Sequence, residues 1–199
     1  YSAENFTIEE MKTWVDYCHL YGVDVHVTVN TLVKEKEIES LKEYLKQLNK
    51  IGVDALIVQD MGAVEIIKKT VPDMTLHAST QMTVKYLEDM GFSRVVLARE
   101  LSEKEIEHIC KNAKAEIEVF VHGAICMCYS GQCLMSSILG GRSGNRGRCA
   151  QPCRLPYDLL ENGKTVKSGY VLSPKDMALV NDLETLKRIG VTSLKIEGR

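Results

Sequence analysis

The chain alternates short apolar segments with amphipathic ones, and this alternation limits its fold more than any other feature. Apolar residues at helical spacing follow Thr7, a suitable N-cap, so a first helix is predicted over residues 8–20. Residues 23–29 alternate strictly between apolar and polar, which predicts a strand. The same order returns, with strands predicted at 55–58, 75–78, 94–97, 117–121 and 193–196 and helices at 34–51, 63–69, 82–90 and 103–113. Strand starts about every 20 residues are typical of a parallel β/α sheet.

Two α/β architectures fit this order: an open doubly wound sheet and a TIM-barrel-like sheet. Polar residues at nearly every strand end favour the barrel, because a barrel builds its active site where the strands end. A complete barrel needs eight strands and roughly 250 residues, whereas the chain has 199 residues and six such strands. We therefore predict a TIM-barrel-like parallel β/α sheet, in one domain over residues 1–199, that lacks about two N-terminal β/α units. Tyr1 fits that expectation, because it is not an initiator methionine.

Two later segments depart from the alternation. Residues 157–172 are predicted to form a β-hairpin inserted outside the parallel sheet, because Asn162-Gly163 is the strongest short turn signal. Ser173-Pro174 then has the composition of a helix start, and a last helix is predicted from there to Ile189.

A cysteine-rich loop, residues 122–154, carries the clearest chemical signal. Five of the chain's seven cysteines lie in it, together with four arginines, and no Asp or Glu occurs between Glu118 and Asp158. Four thiolates are the usual ligand set of a [4Fe–4S] cluster. The predicted ligands are Cys126, Cys133, Cys149 and Cys153, with Cys128 in reserve. The loop lacks the C-x2-C pairs of common zinc ribbons, so zinc ranks lower, and unligated loop thiols are the remaining alternative.

The cysteine total and the absence of apolar runs bear on where such a chain works. No apolar run approaches the roughly 18 residues of a membrane span. An odd number of cysteines without a visible secretory signal indicates a reducing compartment. We therefore expect a cytoplasmic protein whose cluster is lost or replaced by zinc in aerobic preparations.

Polar residues at the strand ends predict a substrate pocket beneath the cysteine loop. Strand ends of a barrel converge on one face, and the predicted lining is His77, Gln81, Arg99, His122 and Lys195. Two cations under a covering loop suit a small anionic ligand; the alternative is that these side chains only tie strand ends to loops. The loop arginines make RNA a second candidate partner, although the net charge of −2 gives no support.

One motif in the loop resembles the signature of the peptidase U32 family, often called collagenase-like. It reads Glu118-x-Phe120-x-x-Gly123-Ala124-Ile125-Cys126-x4-Gly131-x-Cys133-x-Met135-Ser136. Segments 76–81, 95–102, 148–154 and 193–199 also resemble phrases of that family. The resemblance implies a TIM-barrel-like catalytic domain. It further implies relatives that hydroxylate tRNA, 23S rRNA or a ubiquinone precursor without oxygen, with an iron–sulfur cluster on cysteines of this region. Prephenate is the implied hydroxyl donor for some of them, and a partner U32 subunit is an implied partner.

The resemblance also leaves the fourth cluster ligand open. Many U32 relatives place a cysteine shortly after a phrase like Ser173-Pro174-Lys175-Asp176, where this chain has Met177. Three alternatives follow. Cys153 or Cys128 supplies the fourth thiolate, or three cysteines hold the cluster and one iron lacks a protein ligand, or the cluster is absent.

The resemblance, together with the cysteine loop, implies an iron–sulfur-dependent, oxygen-independent hydroxylation factor that acts on RNA or on a small aromatic substrate. The alternatives are a peptidase and a non-catalytic binding scaffold. The sequence contains neither the H-E-x-x-H of zinc proteases nor the G-x-S-x-G of serine hydrolases. A cysteine nucleophile remains conceivable for a peptidase, since His122 precedes Cys126 by four residues.

Overall fold

The computed structural model describes residues 5–79, 84–130 and 132–197. The chain forms two compact units, Tyr1–Val96 with Ala113–Ile117, and Leu97–Asn112 with Glu118–Arg199. No helix in the described ranges is both long enough and apolar enough to cross a membrane.

The first unit consists of four β/α pairs and the start of a fifth strand. Its strands are β1 (His26–Val29), β2 (Ala55–Val58), β3 (Thr75–Ala78), β4 (Arg94–Val96) and the first residues of β5 (Glu116–Gly123). Its helices are α1 (Ile8–Leu20), α2 (Ile38–Ile51), α3 (Met61–Thr70) and α4 (Val84–Asp89). Pairing is parallel between successive strands, with His26 opposite Ala55, Ala55 opposite Thr75, and His77 opposite Arg94.

Apolar burial explains this unit. All four residues of β2 are buried, as expected for a parallel strand covered on both faces. α2 turns Leu41, Leu45, Leu48 and Ile51 inward. The helix ends where the sequence predicted: Gly52 adopts φ 87°, the left-handed conformation that glycine tolerates at a helix C-terminus. At α1, Thr7 and Glu10 form the capping box, so the predicted N-cap is confirmed.

The second unit is arranged around the rest of β5. It adds α5 (Glu103–Asn112), α6 (Met135–Gly140), β6 (Tyr157–Glu161), β7 (Lys164–Gly169), β8 (Met177–Ala178), α7 (Leu183–Arg188) and β9 (Ser193–Ile196). β9 pairs with β5 in parallel and β8 pairs with it antiparallel. β6 and β7 form a separate two-stranded antiparallel sheet, so the predicted hairpin is confirmed.

Strand order decides between the two architectures considered above. The hydrogen-bonded order is β1-β2-β3-β4-β5-β8, with β9 also paired to β5. The six predicted strands therefore occur in chain order, whereas a doubly wound sheet reverses its order at a switch point. The fold is α/β, with the parallel half-barrel sheet and inserted hairpin that the sequence predicted.

The helix predicted from Ser173 to Ile189 is wrong in its first half. Residues 177–178 form β8, a short 3-10 turn covers Val180–Asp182, and α7 begins at Leu183. Two distant groups account for the difference. The Arg154 guanidinium donates to the Pro174 carbonyl at 2.8 Å, and the Leu179 amide donates to the Val121 carbonyl at 2.9 Å. Both contacts use backbone groups that a helix would pair locally.

Candidate functional site

Three other thiols of the cysteine loop influence the thiol of Cys126 electrostatically. Partial burial raises the pKa of the Cys126 thiol, and the positive charge of Arg99 opposes this rise. Three further thiols are close enough to raise that pKa through their charges: Cys149, Cys153 and Cys133. These are the other three predicted ligands, and the reserve thiol of Cys128 is not among the groups that act on Cys126.

The backbone around Cys149 is held by short hydrogen bonds. Ser136, buried on α6, accepts the Ala150 amide on its hydroxyl at 3.0 Å. Gln151 has φ 54°, which is uncommon for a residue other than glycine. Its amide donates to the Cys149 sulfur at 3.4 Å. Hydrogen bonds of this kind to sulfur adjust the potential of iron–sulfur clusters, so the left-handed turn at Gln151 is suited to a metal-bound thiolate.

Arg154 joins the two ends of the cysteine loop. One terminal nitrogen, Nη1, donates to the Ser173 hydroxyl at 3.1 Å and to the Pro174 carbonyl at 2.8 Å. The other, Nη2, donates to the Ile125 carbonyl at 3.2 Å and to the Asp176 carboxylate at 3.0 Å. Ile125 precedes Cys126 and Arg154 follows Cys153, so one guanidinium connects the neighbours of the first and last predicted ligands. We call this group of contacts the Arg154 clamp.

Glu100 holds the part of the loop between Cys126 and Cys133. Its carboxylate accepts the Ser130 amide at 2.7 Å and the Ser130 hydroxyl at 2.8 Å. Burial alone would raise the pKa of Glu100, but these two hydrogen bonds, with help from Arg99, lower it. The carboxylate is therefore ionised, which strengthens its bonds to Ser130.

Two of the predicted pocket residues meet at the ring of Phe120. The Arg99 guanidinium lies 3.7 Å from the ring centroid and the Lys195 ammonium 5.5 Å from it. Each cation also has a carboxylate: Arg99 pairs with Glu197, and Lys195 lies 3.0 Å from the buried Glu118. These ion pairs agree with a role in tying strand ends together. Arg99 keeps one buried donor, Nε, that has no hydrogen-bond partner among the described residues, which suits a ligand.

Two of the other three predicted pocket residues lie in described strands. His122 is exposed on β5, opposite Ala178 and Ile196. His77 is buried in β3, in the first unit, where its ring meets His26 edge-on with 4.7 Å between the centroids. Gln81 lies outside the described residues. The anion-binding role of the five residues stays a prediction.

Gly123 shows how closely the chain segments approach at the end of β5. A Cβ atom at this position would lie 2.8 Å from the Glu197 carbonyl oxygen, and the residue has φ 137°. Only glycine fits both conditions without strain. Glu197 can then reach Arg99, so a backbone requirement at the entrance to the cysteine loop fixes the Arg99–Glu197 pair.

A family comparison agrees with this geometry. The model of peptidase family U32 matches residues 1–199. The chain belongs to peptidase family U32. Its relatives are named either for RNA hydroxylation or as proteases.

Most of the close relatives are named for RNA hydroxylation. The chain is 43% identical over 207 residues to the 23S rRNA 5-hydroxycytidine C2501 synthase of Escherichia coli (strain K12), covering all of this chain and 31% of that protein. It is 37% identical to tRNA hydroxylation protein P1 of Bacillus subtilis (strain 168), covering all of this chain and 50% of that one. The collagenase of Porphyromonas gingivalis is 33% identical, again over the whole chain and 52% of that protein. The U32 chain thus spans about a third to a half of these curated relatives.

A solved structure supports the fold. The U32 peptidase Mk0906 aligns with 99% of this chain and 78% of its own at a TM-score of 0.59 and 15% identity. At that identity the likeness bears on architecture alone.

The thiols of this U32 chain suit a thiolate-bound metal in their chemistry. Within residues 5–79, 84–130 and 132–197, no group of three or more His, Cys, Asp or Glu side chains has metal-ligand geometry. Cys126 and Cys149 are exposed, while Cys133 and Cys153 are half-buried. As they stand, these four cysteines therefore do not form a metal site in the described residues.

Sequence reasoning missed the residues that hold these thiols in place. Ser136, Gln151 and Glu100 had no assigned role, and Arg154 was counted among the loop arginines that favour RNA. Ser136 and Glu100 bind groups 14 and 30 residues away, and no local spacing marks such contacts. The one available hint is that Glu100 is a carboxylate at a strand end, beside a loop that has none of its own.

Proposed function

We propose that this chain is the cysteine-bearing part of an RNA hydroxylation protein of family U32. In this proposal Cys126, Cys133, Cys149 and Cys153 hold a [4Fe–4S] cluster, and hydroxylation proceeds without oxygen. The observations that carry the proposal are the close approach of Cys133 and Cys149 to Gly144 and the link that Arg154 makes between the residues next to Cys126 and Cys153. The names of the relatives at 43% and 37% identity support RNA as the substrate.

The chain's own residues would prepare the site for this group. A bound [4Fe–4S] cluster supplies electron-transfer chemistry at a potential set by hydrogen bonds to sulfur and by solvent exposure. The Gln151 amide donates such a bond to Cys149. The Arg154 clamp keeps the residues next to Cys126 and Cys153 together, and Glu100 fixes the loop between Cys126 and Cys133.

The remaining components of the proposal rest on resemblance and charge. Prephenate, a small dicarboxylate, is the candidate hydroxyl donor, and the buried Nε of Arg99 is the donor best suited to such an anion. A small aromatic substrate is the alternative to RNA, and a second U32 subunit is a candidate partner. We place the activity in the cytoplasm, where thiols remain reduced.

Anaerobic reconstitution tests the cluster. We expect about four iron and four sulfide per chain, with a broad absorption band in the visible range that fades in air. Replacing Cys126, Cys133, Cys149 or Cys153 by Ser should each lower the iron content, whereas Cys128→Ser is the matched control and should not. Zinc is assayed in parallel. Full loss of iron in Cys128→Ser, or zinc alone in the anaerobic sample, contradicts the ligand set.

RNA hydroxylation is tested on the full-length protein without oxygen. Unmodified tRNA and 23S rRNA fragments are incubated with the reconstituted protein and prephenate, then digested and analysed by mass spectrometry. Hydroxylated nucleoside is expected with the wild type and should be absent with Cys126→Ser. Product formed only when oxygen is admitted would contradict oxygen independence.

A peptidase is the second candidate function, favoured by the name of the collagenase at 33% identity. Its nucleophile would be Cys126, with His122 four residues earlier as the base, and the structure shows that both are exposed. Cleavage of gelatin by the purified chain, lost in both Cys126→Ser and His122→Ala, would support this function over hydroxylation.

A further inference from the structure

The cysteine loop has a strongly one-sided charge. Four arginines and no Asp or Glu lie between Glu118 and Asp158, in a chain whose net charge is −2. Arg154 uses its terminal nitrogens inside the protein, on Ser173, Pro174, Ile125 and Asp176. Arg142 and Arg148 are exposed instead, and neither forms an ion pair within the part of the chain that the structure describes. The loop therefore presents positive charge to solvent.

These two arginines lie on a compact turn, residues 142–148, which we call the arginine turn. The Arg142 amide donates to the Ser136 carbonyl, and the Arg148 amide donates to the Ser143 carbonyl, both at 3.1 Å. Two glycines adopt the left-handed conformation: Gly141 (φ 63°), just before the turn, and Gly147 (φ 68°), near its end. Because the backbone is already ordered by its own hydrogen bonds, a ligand would need to order the side chains alone.

The arginine turn packs directly on the thiol site. A Cβ atom on Gly144 would lie 3.7 Å from the Cys133 carbonyl oxygen and 3.7 Å from the Cys149 Cβ. Arg148 is also the residue before Cys149. A polyanion that binds the turn is therefore brought beside the cysteines.

Exposed apolar side chains accompany the charge. Ile138 and Leu139, at the end of α6, are 78% and 61% exposed, and Tyr129 is 68% exposed in the segment between Cys128 and Cys133. Single-stranded nucleic acid is bound by this combination, in which cations contact phosphates and apolar or aromatic faces contact bases. A small anion is usually enclosed by its site, whereas these cations stand on an open surface.

We propose that the arginine turn is the RNA-docking surface of this protein. Arg142 and Arg148 contact phosphates of a single-stranded segment, Tyr129 stacks on a base, and the RNA is thereby placed next to the cysteine site. The choice of RNA rests on the proposed function, while the surface itself rests on the geometry of the turn.

The test measures the salt dependence of RNA binding. Fluorescein-labelled single-stranded RNA of ~20 nucleotides is titrated with the full chain, under reducing conditions, at several salt concentrations. Each phosphate contact contributes about 0.7 to the slope of log affinity against log salt for a single strand. Arg142→Ala and Arg148→Ala should therefore each reduce the slope by about 0.7, and weaken binding about fivefold near 100 mM salt. The double variant should lose about 1.4 in slope.

Matched variants separate docking from folding and from general charge loss. Arg188→Ala removes an exposed arginine from α7 and should leave both affinity and slope unchanged. Arg142→Lys with Arg148→Lys keeps the charge and should keep the slope. Tyr129→Ala should weaken binding while leaving the slope unchanged, because stacking releases no counterions. Circular dichroism and thermal melts confirm that each variant is folded.

Several outcomes overturn the proposal. They are absence of RNA binding by the wild type, an unchanged slope in the double variant, and an equal loss in Arg188→Ala. If the double variant loses prephenate binding but keeps RNA binding, the two arginines bind a small anion, and the proposal is overturned as well. The binding assay needs neither a bound cluster nor hydroxylation, so its result is independent of whether the proposed function is correct. Slope loss in the double variant without any hydroxylation supports the surface and contradicts the activity.

Discussion

The core of the first unit and the cysteine loop of the second are stabilised by different interactions. In the first unit, Leu45, Leu48, Leu56 and Ile67 are fully buried, and apolar area removed from water dominates. In the cysteine loop, Leu134, Ile138 and Leu139 are all more than half exposed. The loop is held instead by a few hydrogen bonds of Ser136, Arg154 and Glu100.

The two regions therefore have different roles: packing in the core of the first unit provides stability, and the cysteine loop carries the reactive side chains. A core that depends on packing loses stability when a cavity is created, but it has no reactive group to position. A loop held by specific polar contacts fixes the backbone beside its thiols, while exposed side chains of the loop stay open to a ligand. Substitutions in the two regions should therefore change different measurements, and three variants test that separation.

The largest effect is expected in the core of the first unit. Leu56→Ala leaves a cavity in the middle of β2 and should lower the free energy of unfolding by about 2–5 kcal/mol. Urea unfolding followed by circular dichroism measures this loss. Ile138→Ala is the matched control, because that side chain is 78% exposed, and it should change stability by less than about 0.5 kcal/mol. Equal losses in both variants would mean that the loop is packed like the core.

A smaller effect on stability, with a larger one on the thiols, is expected for the Arg154 clamp. Arg154→Ala leaves the Ile125 and Pro174 carbonyls without their donor and should cost about 1–3 kcal/mol. Affinity for Co²⁺, followed through its thiolate charge-transfer absorption, should fall by about 10–100-fold.

The controls for the clamp are another arginine and a lysine. Arg148→Ala should leave Co²⁺ affinity unchanged, since Arg148 is exposed. Arg154→Lys should restore little, because a lysine cannot reproduce the planar fork that reaches four acceptors. Wild-type Co²⁺ affinity in Arg154→Ala would show that the cysteines do not depend on the clamp.

The smallest effect concerns pH. The pKa of Glu100 is lower in the folded protein than in the unfolded chain, because the hydrogen bonds from Ser130 outweigh the effect of burial. Its contribution to stability is therefore present above the unfolded pKa and is lost as the pH falls through the folded one. Since Glu100 is exposed, we expect less than about 1 kcal/mol. Glu100→Gln should thus differ from the wild type at neutral pH and converge with it in acid.

Asp54 provides the counterpart in the first unit. Burial would raise the pKa of Asp54, but hydrogen bonds from His19 and Val25 lower it, so its contribution has the same pH direction. Asp54→Asn should leave the reactivity of the loop thiols toward a maleimide unchanged, whereas Glu100→Gln should increase it by loosening the segment at Ser130. Equal thiol reactivity in the two variants would contradict a specific role of Glu100.

The sequence by itself determined the elements of the fold. Strands at 55–58, 75–78 and 193–196 and the helix at 8–20 have the predicted bounds, as does the capping by Thr7. These features depend on local periodicity and on contacts three or four residues apart, which a sequence displays directly. The four candidate ligands were chosen from the sequence because an acid-free, glycine-rich segment concentrates cysteines, and their role stays a prediction.

Only the tertiary structure decided how the second unit is assembled. The segment after Ser173 resembled a helix, but it is held by Arg154, which lies 19 to 22 residues earlier in the chain than its partners Ser173, Pro174 and Asp176. Arg99 was predicted either to bind an anion or to connect a strand end to a loop, and only the fold shows that it pairs with Glu197, 98 residues away. Such contacts depend on which strands become neighbours in the sheet. No local pattern encodes the distance between two side chains that the fold alone brings together.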